Sequence, residues 1–576
     1  MAGCLPARPR RPVDSSGGTR RARSTVNLAP LLHQPRRLHH RLEQQRQRAG
    51  NVAVGAYSLH QVRSVGIARR AGLELALDAR HLVRRESVEG GVRGVVDRFG
   101  IVARVEDGDL GAVGLDCIAD RGIAERLDFS FSGQQALRLA NMVSQGKIKI
   151  GAIHTYLELF SRYFVDLTPH VALVAAHSAD AQGNLYTGGN TEDTPAIIEA
   201  TAFKCGIVIA QVNELVDRVP RVDIPGDWVN FVIPSPRPHL IEPLFTRDPA
   251  QISEIQVLMA MMAIKGIYAP YGVQRLNHGI GFDTAAIELL LPTYAQSLGL
   301  KGKICTHWAL NPHPALIPAI EAGFVESVYS FGSELGMEDY VSARPDVFFT
   351  GPDGSMRSNR AYCQAAGHYA CDLFIGSTLQ IDLEGNSSTA TADRIAGFGG
   401  APNMGADAAG RRHASPAWLR AGAQSRSVHP GMPRGRKLVV QIVETFREHM
   451  QPAFVDRLDA WQLAQSAGLA LPPIMIYGDD VTHVLTEEGL AHLLLCRDVA
   501  EREQAIRGVA GYTPVGLNRD RRMVENLRDR GIIQRPEDLG INKRDATRDL
   551  LAARSMKDLV RASGGLYRPP ARFRNW

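Results

Sequence analysis

The 576-residue sequence predicts an α/β fold with mainly parallel sheets, and three observations carry that expectation. Continuous apolar runs such as Val171–Ala176 and Ile207–Val212 have the composition of strands covered on both faces, as parallel strands are. Stretches of helical spacing, such as Pro195 to Lys204, lie between them, the alternation expected of a parallel sheet. One phrase also occurs twice: Val171 opens a run thirteen residues before Asn184, and Leu373 opens another thirteen before Asn386. Each run enters a polar turn ending in Gly-Asn, followed by a Thr-rich segment. Gly-Asn is a common turn, so coincidence is one reading. Two related α/β units packed in one chain is the other.

The first hundred residues stand apart. They hold 19 arginines and no lysine against 7 acidic residues, a charge of +12, which leaves the other 476 residues at −6. The first lysine of the chain is Lys147. A basic segment can be a footprint for nucleic acid, but that reading needs an organised element to carry the charge. Here the arginines sit among Pro, Gly and Ser, and Val52 to Gly114 shows no sustained period. Residues 1–115 are therefore expected to form an atypical, poorly structured segment, and no nucleic acid is expected as a partner.

Order begins near Gly122. Ala124–Phe131 reads as a short strand, Gln134–Ser144 as a helix with Leu137, Leu139, Met142 and Val143 on its apolar positions, and Lys147–Ile150 as a strand. Val171–Ala176, the helix Pro195–Lys204 and the strand Gly206–Val212 complete a first unit. Its boundary is placed at the proline-rich 233–238, giving units over 116–245 and 246–500. Ile255–Ile264 is a methionine-rich helical run. Tyr477–Val481 reads as a strand end, Glu487–Leu495 as a helix, and 501–576 as a helical C-terminal extension. Seven scattered cysteines with no Cys-x-x-Cys spacing argue for reduced thiols in a cytoplasm, and no apolar run is long enough to span a membrane.

Two glycine clusters are the candidate chemistry. In Leu276–Ala286 (LNHGIGFDTAA) a Gly-Ile-Gly turn feeds a helix, whose first amides are unpaired and suit an anion or a carbonyl oxygen. A turn that closes an αβ connection without any ligand has the same spacing. In Ala396–Gly405 (AGFGGAPNMG) the scarcity of side chains lets backbone amides approach a phosphate, a pantetheine arm or a thioester oxygen. A flexible connector would also look like this. No histidine or cysteine pattern has metal-ligand spacing, so no metal is expected.

Longer phrases carry a resemblance. VALVAAHSADAQGNLY, IVIAQVNELV, LNHGIGFDTAAIELLLP and GFGGAPNMG, in that order, resemble the coenzyme A transferase superfamily with both halves fused. NTEDTPAIIEATAF, EPLFTRDP, VLMAMMAIKGIY, LKGKICTHWALNPHPALIPAIEAGFVESV, FGSELGMEDY and IMIYGDDVTHVLTEEG narrow this to the malonate decarboxylase alpha subunit family. The resemblance runs from about Gly122 to the C-terminus. It implies two coenzyme A transferase-like domains and exchange of an acyl carrier protein thioester from acetate to malonate. The substrate group would be the carrier's phosphoribosyl-dephospho-CoA arm, with no cofactor bound covalently to this chain. Implied partners are the acyl carrier subunit and the decarboxylase beta and gamma subunits, in the cytoplasm. A citrate lyase alpha-type subunit, another acetate transferase and a non-catalytic scaffold are the alternatives.

The N-terminal segment departs from that family's pattern. A shifted reading frame upstream of about Gly114 and a divergent N-terminus both account for it. On the resemblance, Gly281 and Gly400 would donate amides to the thioester oxyanion. Gly279, Gly399, Ala401 and Asn403 would contact the carrier arm, and Asn277 and His278 would do so or order the loop. His307 is the candidate for an oxyanion or carboxylate contact, with a core histidine beside Trp308 as the other reading. Arg275 is the candidate partner of a malonate carboxylate, with a surface arginine covering a helix end as the other. Related transferases often carry a nucleophilic glutamate in a Ser-Glu-Asn-Gly motif. The matching stretch here, Ile304–Asn311, has no carboxylate, and Ser333-Glu334-Leu335-Gly336 lies later. Direct attack without an acyl-enzyme is the resulting expectation.

Overall fold

The computed structural model describes residues 126–130, 136–188, 194–235, 248–310, 313–329, 335–349, 371–406, 420 and 437–574. The Arg-rich segment, residues 236–238 of the proline-rich boundary, Asn311 and Ser333–Glu334 lie outside the described residues. The described residues form four sheets. Strands β1 (Arg126–Phe129) and β2 (Lys149–Ile153) form a parallel pair joined through helix α1 (Ala136–Ser144). Helix α2 (Tyr156–Val165) follows, its first turn capped by Thr155 Oγ1, which accepts from Glu158 N.

A four-stranded sheet comes next, from β3 (Val171–Ala179), β4 (Leu185–Tyr186), β5 (Ile207–Leu215) and β6 (Phe231–Pro234) in the order β4-β3-β5-β6. β3, β5 and β6 are parallel, as expected, but β3 is not covered on both faces: its burial alternates and Leu173 is 58% exposed. Helix α3 (Thr194–Phe203) covers the face carrying Ala172, Ala176, Val208, Ala210 and Val212.

The third sheet has nine strands and positions the site. They are β7 (Arg275–His278), β8 (His307–Ala309), β9 (Ser327–Tyr329), β10 (Phe348–Phe349), β11 (Leu373–Ser377), β14 (Leu438–Ile442), β15 (His483–Leu485), β16 (Leu490–His492) and β17 (Ile533–Gln534). Their spatial order is β10-β9-β8-β7-β11-β14-β15-β16-β17. All pairs from β10 to β15 are parallel; β16 and β17 close the edge antiparallel. Alternate residues feed opposite cores, because side chains alternate along a strand. Leu373, Ile375, Leu438 and Val440 pack with helix α4 (Glu254–Ala263), while Phe374 and Val439 pack on the other face. The second core also takes in Leu127, Phe129, Leu139 and Ile150, so the β1–β2 unit packs with residues of the second half.

Two expectations change. Glu487–Leu495 is not a helix: Leu490–His492 is strand β16, and only Leu493–Leu495 makes a helical turn. Its apolar run fits a strand buried on both faces as well as it fits a helix. The chain after 501 does form helices, such as α5 (Val499–Val509), but it also supplies the edge strand β17.

The recurring phrase is a repeated hydrogen-bond motif. β12 (Gln380–Ile381) and β13 (Ser387–Ser388) form a separate antiparallel pair around the second turn. Asp180 Oδ1 accepts from the amides of Gln182 and Asn184, and Asp382 Oδ1 accepts from those of Glu384 and Asn386. Gly183 and Gly385 both take positive φ, 82° and 87°, where a glycine costs least. Asn184 Oδ1 then accepts from Gly226 N at 2.9 Å, and Asn386 Oδ1 from Gly478 N at 2.8 Å.

Candidate active site at the strand switch point

From β7 the chain moves outward through β8, β9 and β10; β11, β14 and β15 then build the other side of the sheet. β7 and β11 are neighbours whose onward connections leave in opposite directions. In open parallel sheets such a switch point leaves a crevice beyond the carboxyl ends of the strands, where ligands bind. The Gly279-Ile280-Gly281 turn occupies that place. It leads into the helix Phe282–Leu290, with Gly281 as N-cap.

Gly279 is small because two backbones meet there. Its amide donates to Ile375 O at 2.6 Å, and a β-carbon would lie 2.8 Å from Gly376 Cα. The Gly279 amide is thus already committed. Gly281 has φ 170°, an extended conformation open to any residue, and a β-carbon there would meet Ser377 Oγ at 3.0 Å. No described residue bonds to the Gly281 amide. Ser377 Oγ donates to Asp283 Oδ2 at 2.9 Å, while Asp283 Oδ1 is shielded from solvent and has no hydrogen-bond partner. Burial, with the Glu444 and Glu487 carboxylates at the ends of β14 and β15, pushes the Asp283 carboxyl up to about 7. Gln256 Nε2 donates to Glu444, and Thr445 N to Glu487. Nothing in the sequence singles out Asp283, because an acid in the first turn of a helix is explained by the helix dipole alone.

Asn277 and His278 lie inside the protein. Asn277 Nδ2 donates to Ala309 O, bridging β7 to β8. His278 Nε2 hydrogen-bonds Tyr268 Oη at 2.8 Å, and its Nδ1 lies 3.1 Å from Glu288 Oε1, with Trp308 edge-on at 4.6 Å. Both ring nitrogens are occupied by protein groups, so the structure places His278 as a brace under the turn.

The second glycine loop sits on the β1–β2 unit. Gly399 N donates to Ser130 O at 2.6 Å, and Tyr156 N donates to Gly399 O at 3.3 Å. Gly399 has φ +57°, and a β-carbon would press on the Tyr156 ring 3.3–3.5 Å away. Gly400 has an ordinary φ of −87° and opens the short helical turn Ala401–Met404, in which Ala401 and Asn403 are half-buried. No described residue bonds to the Gly400 amide. Beneath this loop, at the carboxyl ends of β1 and β2, His154 Nε2 lies 3.2 Å from Asp128 Oδ1, and its Nδ1 lies 3.2 Å from Glu158 Oε1. Burial raises the Asp128 pKa, but bonds from His154 and Arg126 outweigh it and hold the carboxyl at about 2. Burial lowers the His154 pKa, and the two carboxylates outweigh it and hold it above the ordinary imidazole value.

Arg275 and His307 are elsewhere. Each opens its strand, and they are register partners at the amino edge of the sheet. Three strand steps of about 3.3 Å put Arg275 roughly 10 Å before His278, on the edge away from the glycine turn. Arg275 is 42% exposed and lies 3.7 Å from Asp372. His307, 41% exposed, has Ser327 Oγ 2.9 Å from Nδ1 and Glu326 3.8 Å from Nε2. The sequence puts Arg275 six residues before Gly281 but does not show that the strand between them runs away from the edge. Among the described residues no group of three or more His, Cys, Asp or Glu is placed to hold a metal ion. No helix among them is long and apolar enough to cross a membrane.

Comparison with known proteins agrees with this architecture. Residues 112–576 match the family described as malonate decarboxylase, alpha subunit, transporter. Acetyl-S-ACP:malonate ACP transferase of Malonomonas rubra is 66% identical over 462 residues, 80% of this chain and 83% of that protein. A Pseudomonas malonate decarboxylase hetero-tetramer in complex with malonate contains a chain 61% identical, with a TM-score of 0.76 over 81% of this chain and 85% of that one. The alpha subunit of malonate decarboxylase from Acinetobacter baumannii is 60% identical, with a TM-score of 0.74 over 80% and 84%. The chain therefore belongs to the malonate decarboxylase alpha subunit family.

Proposed function

We propose that this chain exchanges the acid on a carrier thioester, converting acetyl-S-carrier and malonate into malonyl-S-carrier and acetate. The observation that carries the reading is the 66% identity to a transferase of that activity. A glycine-lined crevice at the switch point of the central sheet gives it a place. Carrier and decarboxylase subunits are the partners, in the cytoplasm, and the carrier's phosphoribosyl-dephospho-CoA arm brings the thioester. The repeated Asp-x-x-Gly-Asn motif supports two related coenzyme A transferase-like halves fused in one chain.

The chemistry asks little of acid–base groups. A malonate carboxylate attacks the acetyl carbonyl and the thiolate leaves, giving a mixed anhydride. The thiolate then attacks the malonyl carbonyl of that anhydride, and acetate leaves. Each addition builds an oxyanion, so the site must supply amide donors and exclude water from the anhydride. Of the four loop glycines, Gly281 and Gly400 are assigned to donate, because the amides of Gly279 and Gly399 are engaged within the protein. Gly279, His278 and Asn277 are assigned to hold the first loop, and Gly399 the second. Ala401 and Asn403 flank the arm. Arg275 and His307 are left out of the reaction.

The test is release of acetate from acetyl-loaded carrier protein. Malonate is expected to drive it, with citrate inert. Loss of one oxyanion donor typically costs about 10²–10³ in rate. A valine side chain at Gly400 or Gly281 would keep the thioester oxygen from reaching the amide, so Gly400→Val and Gly281→Val are expected to lose about that much while remaining folded. A folded Gly400→Val variant that turns over at the parent rate would remove that loop from the reacting carbonyl.

A further inference from the structure

We propose that His154, seated between Asp128 and Glu158, is a positioning residue that sets the aim of the Gly400 amide. The inference rests on the assignment of Gly400 to the thioester oxyanion. Its own observations are geometric. His154 is fully buried where β2 ends, and Asp128 sits on the last turnings of the parallel strand beside it. His154 N donates to Phe129 O at 2.8 Å, and the ring reaches Asp128 Oδ1, so main chain and side chain together pin the ends of β1 and β2. One residue beyond Phe129, Ser130 O receives the Gly399 amide; two residues beyond His154, Tyr156 N holds the Gly399 carbonyl. Gly399 is thus fixed on both sides, in a left-handed conformation, and the Gly399–Gly400 peptide plane is oriented by that clamp.

The charges around the ring explain why a histidine serves here. Asp128 and Arg126 face it from β1; Glu158 and Arg162 face it from α2, with Arg162 tied to Asp166. Nε2 is within hydrogen-bond geometry of Asp128, whereas Nδ1 has Glu158 beside it as an ion pair without a hydrogen bond. Two flanking carboxylates favour the protonated imidazole, and the charge pairing that holds the clamp weakens when the proton leaves. His154 touches no substrate in this scheme; it acts through Ser130, Tyr156 and Gly399.

Two variants test it in the acetate-release assay with acetyl-loaded carrier protein. His154→Gln is expected to lower kcat by up to about 10²-fold, the cost of misplacing a reacting group by about 1 Å, with KM for malonate changed less than about twofold. The alkaline limb of the wild-type rate profile is expected to vanish in that variant. Glu158→Gln changes a half-exposed side chain and leaves Asp128 in place. It removes one of the groups that raise the His154 pKa, so its alkaline limb is expected to move to lower pH, with the rate on the acidic side of the profile retained. A Glu158→Gln limb at the wild-type position overturns the proposal, as does a folded His154→Gln variant with wild-type kcat. Gly400→Val separates this from the parent reading. If Gly400→Val is folded and active, the oxyanion assignment itself fails; if it is inactive while both ring-site variants behave as wild type, only the positioning role of His154 fails.

Discussion

Replacing Gly279 by alanine tests the switch-point geometry through a contact that is backbone against backbone. The new β-carbon would lie 2.8 Å from Gly376 Cα and 3.3 Å from Ile375 O, and neither atom can rotate away. The carboxyl ends of β7 and β11 must separate, which also lengthens the 2.6 Å bond from Gly279 N to Ile375 O. Overpacking of a tight contact costs about 1–3 kcal/mol and loss of one hydrogen bond about 1, so a destabilisation of about 2–4 kcal/mol is expected. Gly281→Ala is the internal comparison. Its φ of 170° suits any residue, and its β-carbon meets Ser377 Oγ at 3.0 Å, a hydroxyl that can turn. It is expected to cost less than about 1 kcal/mol while disturbing the Ser377–Asp283 bond. Urea denaturation followed by tryptophan fluorescence and far-UV dichroism measures both. If Gly279→Ala unfolds at the wild-type midpoint, or Gly281→Ala is the more damaging of the two, the packing argument at this turn is refuted.

Two further outcomes follow from other parts of the sheet. His492 is buried, donates from Nε2 to Gln534 Oε1 at 2.8 Å, and has its pKa pushed down to about 4 by burial. Its folded value lies below the unfolded one, so its neutral form stabilises the fold above about pH 6.5. That contribution, about 3 kcal/mol at most, should drain away as the pH falls from 6.5 towards 4, and thermal melting with His492→Gln should show a weaker decline over that window. Arg275→Ala and His307→Ala, at the amino edge, are expected to leave KM for malonate within about twofold of wild type; a tenfold rise in either would put that edge back in the binding site.

Much of the fold was legible because it rests on local signals. Leu373–Gly376 is apolar without alternation and is buried throughout, as a strand covered on both faces should be. Val171–Ala176 reads the same way, yet in the structure its burial alternates and Leu173 is 58% exposed. The Gly-Asn repeat was visible as letters. What gives it force was not: Asp180 and Asp382, each four residues earlier, organise the turns through carboxylates. β16 was read as helix because Leu490, Leu493 and Leu494 have helical spacing, and only its antiparallel pairing with β15 and β17 resolves the ambiguity. The site was less legible, since it depends on strand direction and sheet order. Arg275 lies six residues before Gly281 in sequence, yet it and its register partner His307 sit on the opposite edge in space. His154 and Asp128, 26 residues apart, meet only because β1 and β2 are parallel.

The four glycines chosen from sequence as one kind of residue divide into two kinds when each amide is followed to its acceptor. Gly279 and Gly399 have theirs occupied, by Ile375 O and Ser130 O. Gly279 is a glycine because a β-carbon would lie 2.8 Å from Gly376 Cα, and Gly399 because its φ is +57°. Gly281 and Gly400 have no strained φ, and no described residue bonds to their amides. In each loop, then, a tethered glycine comes just before one whose donor is left over, the first fixing the direction in which the second points. An oxyanion hole needs donors whose orientation is set before the reaction, because reorientation during the reaction would cost what the hydrogen bond gains. Anchoring one residue and leaving a neighbour's amide unspent meets that need, and it makes the anchors as consequential for rate as the donors.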